Sequence, residues 1–350
     1  MLEEIRQQPA ALERTLKGSL RTVERLKKRL EGKRPRMILL AARGTSDNAA
    51  QFGRYLLEIA TGIPVSLAAP SVYTLYGGAI QLRDTLVVSI SQSGESTDTN
   101  LVMERAREQG SLTIGITNEP ESALAKLAEH TFLVRAGREK SVAATKTYTG
   151  QLLAMYLLAY ALGAPVRLDD LERLPEWTHQ ALQLEAKIAA RAERYRFMDH
   201  AVVVGRGLVY ADAFEFALKL METCYVVAER FSSADFLHGP IAMVESSFPL
   251  FLFAPPGVTW PSMGEMLAKL DHLKAETLVI TDRSNREAMA QAPNAIVIPA
   301  RLARKSALPE EVYTPIPYIV PAQLFAASLA KEKGLDPDRP RTLTKVTRTM

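Results

Sequence analysis

Short apolar runs alternate with longer amphipathic segments along this chain. Residues 37–42, Thr85–Ile90, Leu112–Thr117 and 132–134 are rich in Val, Ile, Leu and Phe, and segments with helical spacing separate them. The same order returns at 201–205, Pro249–Phe253, 277–281 and Ile296–Ile298. Arg43-Gly44 and Arg206-Gly207 lie 163 residues apart, as do Gly94 and Gly257, and the later run pairs keep an offset of 164. Matching runs in one order at a near-constant offset predict an internal duplication. Short runs joined by helix-length crossovers are the pattern of parallel strands, so each half is predicted to be a small α/β sandwich.

Helices are predicted at 97–109, stopping at Gly110, at 148–162, stopping at Gly163, and at 210–225. Periodicity breaks at 163–176, where Pro165, Asp169, Asp170 and Pro175 mark the join between the halves. A charged amphipathic helix over 9–29 and a tail after Gly334 fall outside the repeat. The expected organisation is an N-terminal helix over 1–30, a first domain over 31–165, a linker helix over 166–190, a second domain over 191–333 and a tail over 334–350.

Composition narrows the class. With 47% hydrophobic and 23% charged residues the chain is not disordered, and 350 residues suit about two domains at roughly 100–200 residues each. A net charge of +4 is small for this length and does not point to nucleic acid. Cys224 is the only cysteine, which excludes an internal disulfide and a thiolate cluster and suggests an intracellular chain. The five histidines are dispersed, so no metal is expected. No run approaches the ~18 apolar residues of a membrane span, and Glu3, Glu4 and Arg6 occupy positions where a signal peptide is apolar. The chain is expected to be cytoplasmic, with neither a membrane nor a nucleic-acid partner.

Ligands of open α/β sheets lie beyond the carboxyl ends of the strands. Gly44, Thr45 and Ser46 follow the first run, and Ser91, Gln92, Ser93, Gly94, Glu95, Ser96 and Thr97 follow the second. Small residues ahead of a helix N-terminus let amides and hydroxyls close around an oxyanion, which suits a phosphate. The competing reading is that these hydroxyls only cap helices. The corresponding second-half loop, Ala254-Pro255-Pro256-Gly257, lacks hydroxyls, so only the first half is expected to hold phosphate.

In the second half, Glu215, Lys219 and Glu222 share one face of a helix that is otherwise largely apolar. An exposed Glu–Lys pair would contribute little; buried, the same groups acquire shifted proton affinities suited to proton transfer. His238 sits at a Gly-Pro turn, and the basic stretch from Pro340 to Thr347 taken alone reads as a solvated tail.

Taken together, six motifs resemble the SIS (sugar isomerase) domain family, in particular the isomerase half of glucosamine-6-phosphate synthase and the stand-alone glucosamine-6-phosphate deaminases of SIS type. They are Arg43-Gly44-Thr45-Ser46, Ser91-Gln92-Ser93-Gly94-Glu95-Ser96, Val142-Ala143-Ala144-Thr145-Lys146, Glu215 through Glu222, His238-Gly239-Pro240, and Pro340-Arg341 through Lys345, in that order. The resemblance implies two tandem SIS domains, each a parallel-sheet α/β sandwich of flavodoxin-like type. It implies a hexose or hexosamine 6-phosphate held by Thr45, Ser46, Ser91, Gln92, Ser93 and Ser96, with Val142 and Ala144 near the sugar. Glu222 is then the base moving a proton between C1 and C2, with Lys219 beside it. His238 assists ring opening from a neighbouring subunit of a homodimer, and Lys345 contacts the open-chain sugar. No cofactor is implied.

Ser96 stands where the synthase commonly has Thr, Ala144 where it has Ser, and Thr344 where it has Ala. The sequence holds no glutaminase domain and no cysteine before Cys224, so the deaminating direction, glucosamine 6-phosphate to fructose 6-phosphate and ammonia, is the expected one. The alternatives are another phosphosugar aldose–ketose isomerase or deglycase, and a non-catalytic sugar-phosphate sensor. Retention of Glu222, His238 and Lys345 favours an enzyme, since a sensor needs the phosphate loops but no proton shuttle.

Overall fold

The computed structural model describes residues 1–343. The chain forms two compact units: one contains Ala10–Glu139 and Lys146–Glu172, the other Met1–Pro9, Lys140–Thr145 and Arg173–Thr342. We call these the first and second units. Each is built on one five-stranded sheet.

In the first unit β1 (Met37–Ala41), β2 (Val65–Leu67), β3 (Thr85–Ile90), β4 (Leu112–Thr117) and β5 (His130–Leu133) run in the order β2-β1-β3-β4-β5. In the second, β6 (His200–Gly205), β7 (Val227–Ser232), β8 (Pro249–Phe253), β9 (Glu276–Asp282) and β10 (Ile296–Ile298) repeat that order as β7-β6-β8-β9-β10. All neighbouring strands are parallel. This is the doubly wound flavodoxin-type order, and its recurrence is what the constant sequence offset predicts. Helices cover both faces, so the interior strands are buried apart from their first one or two residues, and all six residues of β3 are buried.

The edge strands β2 and β7 have no counterpart in the sequence reading. β2 is only three residues long, and β7 carries Glu229 and Arg230 with an exposed Val227, so neither shows a continuous apolar run. The helix Pro315–Glu332 was also illegible. It is buried on nearly all sides, so it has no polar face to set a period, and it contains Pro321. Pro315 and Pro317 fall in its first turn, where a missing N–H costs nothing. The other helices match to within a residue or two: Thr97–Glu108, Lys146–Ala161, Tyr210–Cys224 and Gln8–Leu30. No helix among the described residues is long and apolar enough to cross a membrane.

The second unit's core centres on β8. On one face Phe251 meets Tyr195 at 5.5 Å, Phe216 at 5.0 Å and Phe325 at 5.0 Å between ring centroids, the last two edge-to-face. On the other face Leu250 and Leu252 pack with Val202, Val204, Trp260 and Met263. Phe216 therefore anchors the Tyr210–Cys224 helix to the sheet. Phe251→Ala should destabilise the protein by about 3–5 kcal/mol. Chemical denaturation reads this as a lowered midpoint; a change under 1 kcal/mol would contradict the packing described, at about the size of a tolerated volume-conserving swap.

Candidate functional site

In the first unit β1 and β3 are neighbours, so the loops that leave them lie side by side at one sheet edge. The first loop turns at Gly44, in a left-handed conformation, straight into the helix Thr45–Thr61. The second reaches the helix Thr97–Glu108 through residues 91–96. Two helix N-termini therefore sit at adjacent strand ends, each carrying a partial positive charge. Arg43 ties the loops together: its guanidinium donates to Asp98 Oδ2 at 2.8 and 3.2 Å. Asp98 is buried while the Arg43 side chain is half exposed, which fixes a cation at the edge.

The hydroxyls are not spent as helix caps. The N-cap of the first helix is Gly44, which has no side chain, and Ser96 occupies the second N-cap without making a side-chain capping bond. Ser46 Oγ, buried, accepts from Gln151 Nε2 at 2.9 Å. Ser91 Oγ accepts from the Gly94 amide at 3.0 Å, and Ser93 Oγ from the Glu95 amide at 3.3 Å. A hydroxyl that accepts still has its proton to donate, so Ser46, Ser91 and Ser93 are shaped by the loop and remain donors. Gln92 is pinned at its carbonyl by the Asn118 amide at 3.1 Å and Thr117 Oγ1 at 3.3 Å. Gly94 is in the left-handed region, and a Cβ there would collide with Ser122, so no other residue fits this turn.

The equivalent loop of the second unit is closed by its own bonds. The Ala254 carbonyl accepts from Thr281 Oγ1 at 2.7 Å and Asn285 Nδ2 at 3.2 Å. The Glu311 carboxyl abuts Gly257, and burial raises its pKa. One copy of the duplication offers donors at this position, and the other offers an acid.

The second unit holds the carboxylates. Gly205 ends β6; a Cβ there would meet the Val209 carbonyl and lie 2.9 Å from Tyr210 Cα, so only glycine lets the chain turn into the helix Tyr210–Cys224. Along that helix Glu215 and Lys219 have no solvent exposure. Lys219 Nζ donates to Glu222 Oε2 at 2.5 Å and pairs with Glu215 Oε1 at 3.4 Å. Burial alone would depress the Lys219 pKa, but the flanking carboxylates outweigh it and hold it above the usual lysine value. The ammonium therefore stays charged at neutral pH, and its sealed position leaves it no role as a nucleophile. The Glu222 side chain is 22% exposed and can reach a ligand.

Val142 and Ala144, both half-buried, lie on the 140–145 segment that belongs to this same unit. His238 is exposed at the C-cap of the short helix Ser233–Leu237. Lys345 lies outside the described residues. Burial pushes the Cys224 thiol up to about 11, and its Sγ lies 3.2 Å from the Ala326 carbonyl, so it is an inert core group. Among the described residues no acid, histidine and cysteine cluster could hold a metal ion.

Sequence reasoning gave no role to Asp98, Gln151 or Asp47. Asp98 lies 55 residues from its partner Arg43, and Gln151 is over a hundred residues from its partner Ser46. Asp47 is raised by burial, against the pull of Arg43.

The SIS domain family matches residues 33–161 and 196–330. The glutamine–fructose-6-phosphate aminotransferase (isomerizing) of Methanothermobacter thermautotrophicus is 35% identical over 99% of this chain, which covers 56% of that protein. The chain thus spans a little over half the length of the curated relatives it matches. The C-terminal domain of the glucosamine-fructose-6-phosphate aminotransferase of Francisella tularensis superposes with a TM-score of 0.86 at 28% identity, covering 97% of this chain and 98% of that one. A glucosamine-6-phosphate deaminase of Thermotoga maritima shares the fold, with a TM-score of 0.73 at 23% identity over 96% of this chain and all of that one.

Lys219→Met would strand two carboxylates beside an apolar side chain and should cost about 3–5 kcal/mol, measured by denaturation; a neutral or stabilised variant would show that the pair is not held as described. Because Lys219 titrates above its usual value, its contribution is complete below about pH 10.5 and is lost as pH rises through the folded-state value. Stability should fall across that alkaline window, and a denaturation midpoint that stayed level through it would contradict this ion cluster.

Proposed function

The chain belongs to the SIS domain family, and from that premise we propose that it interconverts glucosamine 6-phosphate and fructose 6-phosphate plus ammonia without a cofactor. The observation that carries this reading is the Lys219–Glu222 pair: a sealed cation 2.5 Å from a carboxylate that itself reaches solvent. Such a carboxylate is held in one orientation and can still meet a substrate, as a general base must.

In the proposed reaction the hydroxyls of Thr45, Ser46, Ser91, Ser93 and Ser96, with the Gln92 side chain, hold the phosphate at the paired helix N-termini. Arg43 adds fixed positive charge beside them. His238, supplied by the second subunit of a homodimer, assists ring opening. Glu222 removes the C2 proton of the open-chain amino aldose and returns it to C1, giving the 2-imine of the ketose. Water adds to that imine, the C–N bond breaks, and fructose 6-phosphate and ammonia leave, so that one water is consumed per turnover. Lys219 holds Glu222 in place, and Lys345 contacts the open-chain sugar. Val142 and Ala144 line the sugar, and with alanine at 144 this wall offers no side-chain hydroxyl there.

The Glu222→Gln variant tests the assignment. Turnover should drop about 10²–10⁴-fold, the usual share of a general base, while fructose 6-phosphate still binds. The assay is ammonia release from a panel of glucosamine, galactosamine and fructosamine phosphates. Release from another member of the panel would move the substrate and keep the chemistry. No turnover of any member by folded protein that still binds sugar phosphate would favour a sensor and overturn the proposal.

A further inference from the structure

The 140–145 segment carries Val142 and Ala144 but has no helix or strand among residues 140–145 to hold it. Two side chains from the start of the chain do so instead. Glu4 and Gln8 are four residues apart in consecutive helical segments, and both are buried, at 6% and 0% exposure. The Glu4 carboxylate accepts from the Lys140 amide through one oxygen and from the Ser141 amide, at 3.2 Å, through the other. Gln8 Nε2 donates to Gln323 Oε1 at 2.9 Å, and Gln323 Nε2 donates to the Thr145 carbonyl at 3.4 Å. The segment is thus gripped at both ends, with residues 142–144 spanning between the grips. All of these groups belong to the second unit. Glu4 and Val142 also border one cleft of about 760 Å³, which Lys140, Lys331 and Arg339 line as well.

An acid in a first helical turn ordinarily faces water, where it complements the helix dipole at no desolvation cost. Glu4 is instead buried against backbone amides, and a charged acceptor makes stronger bonds to them than a neutral one. We propose that Glu4 and Gln8 are positioning residues that set the loop bearing Val142 and Ala144, and through it the fit of the sugar rather than the grip on the phosphate. This rests on the reading that Val142 and Ala144 face the sugar. Glu4→Gln keeps one oxygen acceptor and loses the other, whereas Glu4→Ala loses both.

The test uses the full chain with Glu4→Gln, Glu4→Ala and Gln8→Ala. Amide exchange at Lys140 and Ser141 should speed up in the order wild type, Glu4→Gln, Glu4→Ala. The KM for glucosamine 6-phosphate should rise about tenfold in Glu4→Ala, the worth of one charged hydrogen bond, and discrimination against galactosamine 6-phosphate should narrow. Inhibition by inorganic phosphate should not change. Faster exchange with unaltered KM and discrimination would overturn the positioning role, and unaltered exchange would overturn the clamp itself. If Glu4→Ala fails to fold, Glu4→Gln decides by the same criteria. Should wild type turn over no amino sugar phosphate, the proposed reaction fails, while exchange together with fructose 6-phosphate binding still decides the clamp.

Discussion

Lys219 is buried without solvent exposure between Glu215 and Glu222, and a charge in that position is tolerable only because both carboxylates are there. The constraint runs through the rest of the second unit. A helix carrying three ionised groups must present them to one another, so its remaining faces must be apolar to keep it docked. Phe216 does this against Phe251 and Phe325. The glycine at 205 lets the chain fold back closely at the strand end, through a short turn over Gly207–Val209, before that helix begins. Glu222 alone among the three charges retains access to solvent, so it alone can act on a ligand.

The duplication places two different sets of side chains on one topology. Both sheets have the same strand order, and both place a loop after the first and third strands in sequence. In the first unit the loop after β3 keeps hydroxyls that its own turns leave able to donate. In the second, the loop after β8 is tied back by Thr281 and Asn285 and has the Glu311 carboxyl against Gly257. The proposed division of labour, phosphate on the first copy and proton transfer on the second, follows from this asymmetry.

The sheets and their duplication were legible because buried parallel strands are continuous apolar runs, and because Arg43-Gly44 and Arg206-Gly207 preserve the spacing. The edge strands β2 and β7 were not, since one is very short and the other half-polar. The charged face of the Tyr210–Cys224 helix could be read from spacing, and its burial from the surrounding apolar residues. Arg43–Asp98, Ser46–Gln151 and Glu4 with the Lys140 amide join residues far apart in the chain, and no local pattern encodes them. Glu4 in particular looks like an ordinary acid in the first turn of a helix.

The central claim is that Glu222 carries the proton between adjacent carbons of a sugar phosphate. Converting glucosamine 6-phosphate in heavy water and examining the fructose 6-phosphate by NMR tests it directly. The account predicts deuterium at C1 of the product, or retention of the substrate's own C2 hydrogen there where transfer outpaces exchange, and loss of both with Glu222→Gln. Unchanged formation of that product by the Gln variant would contradict it.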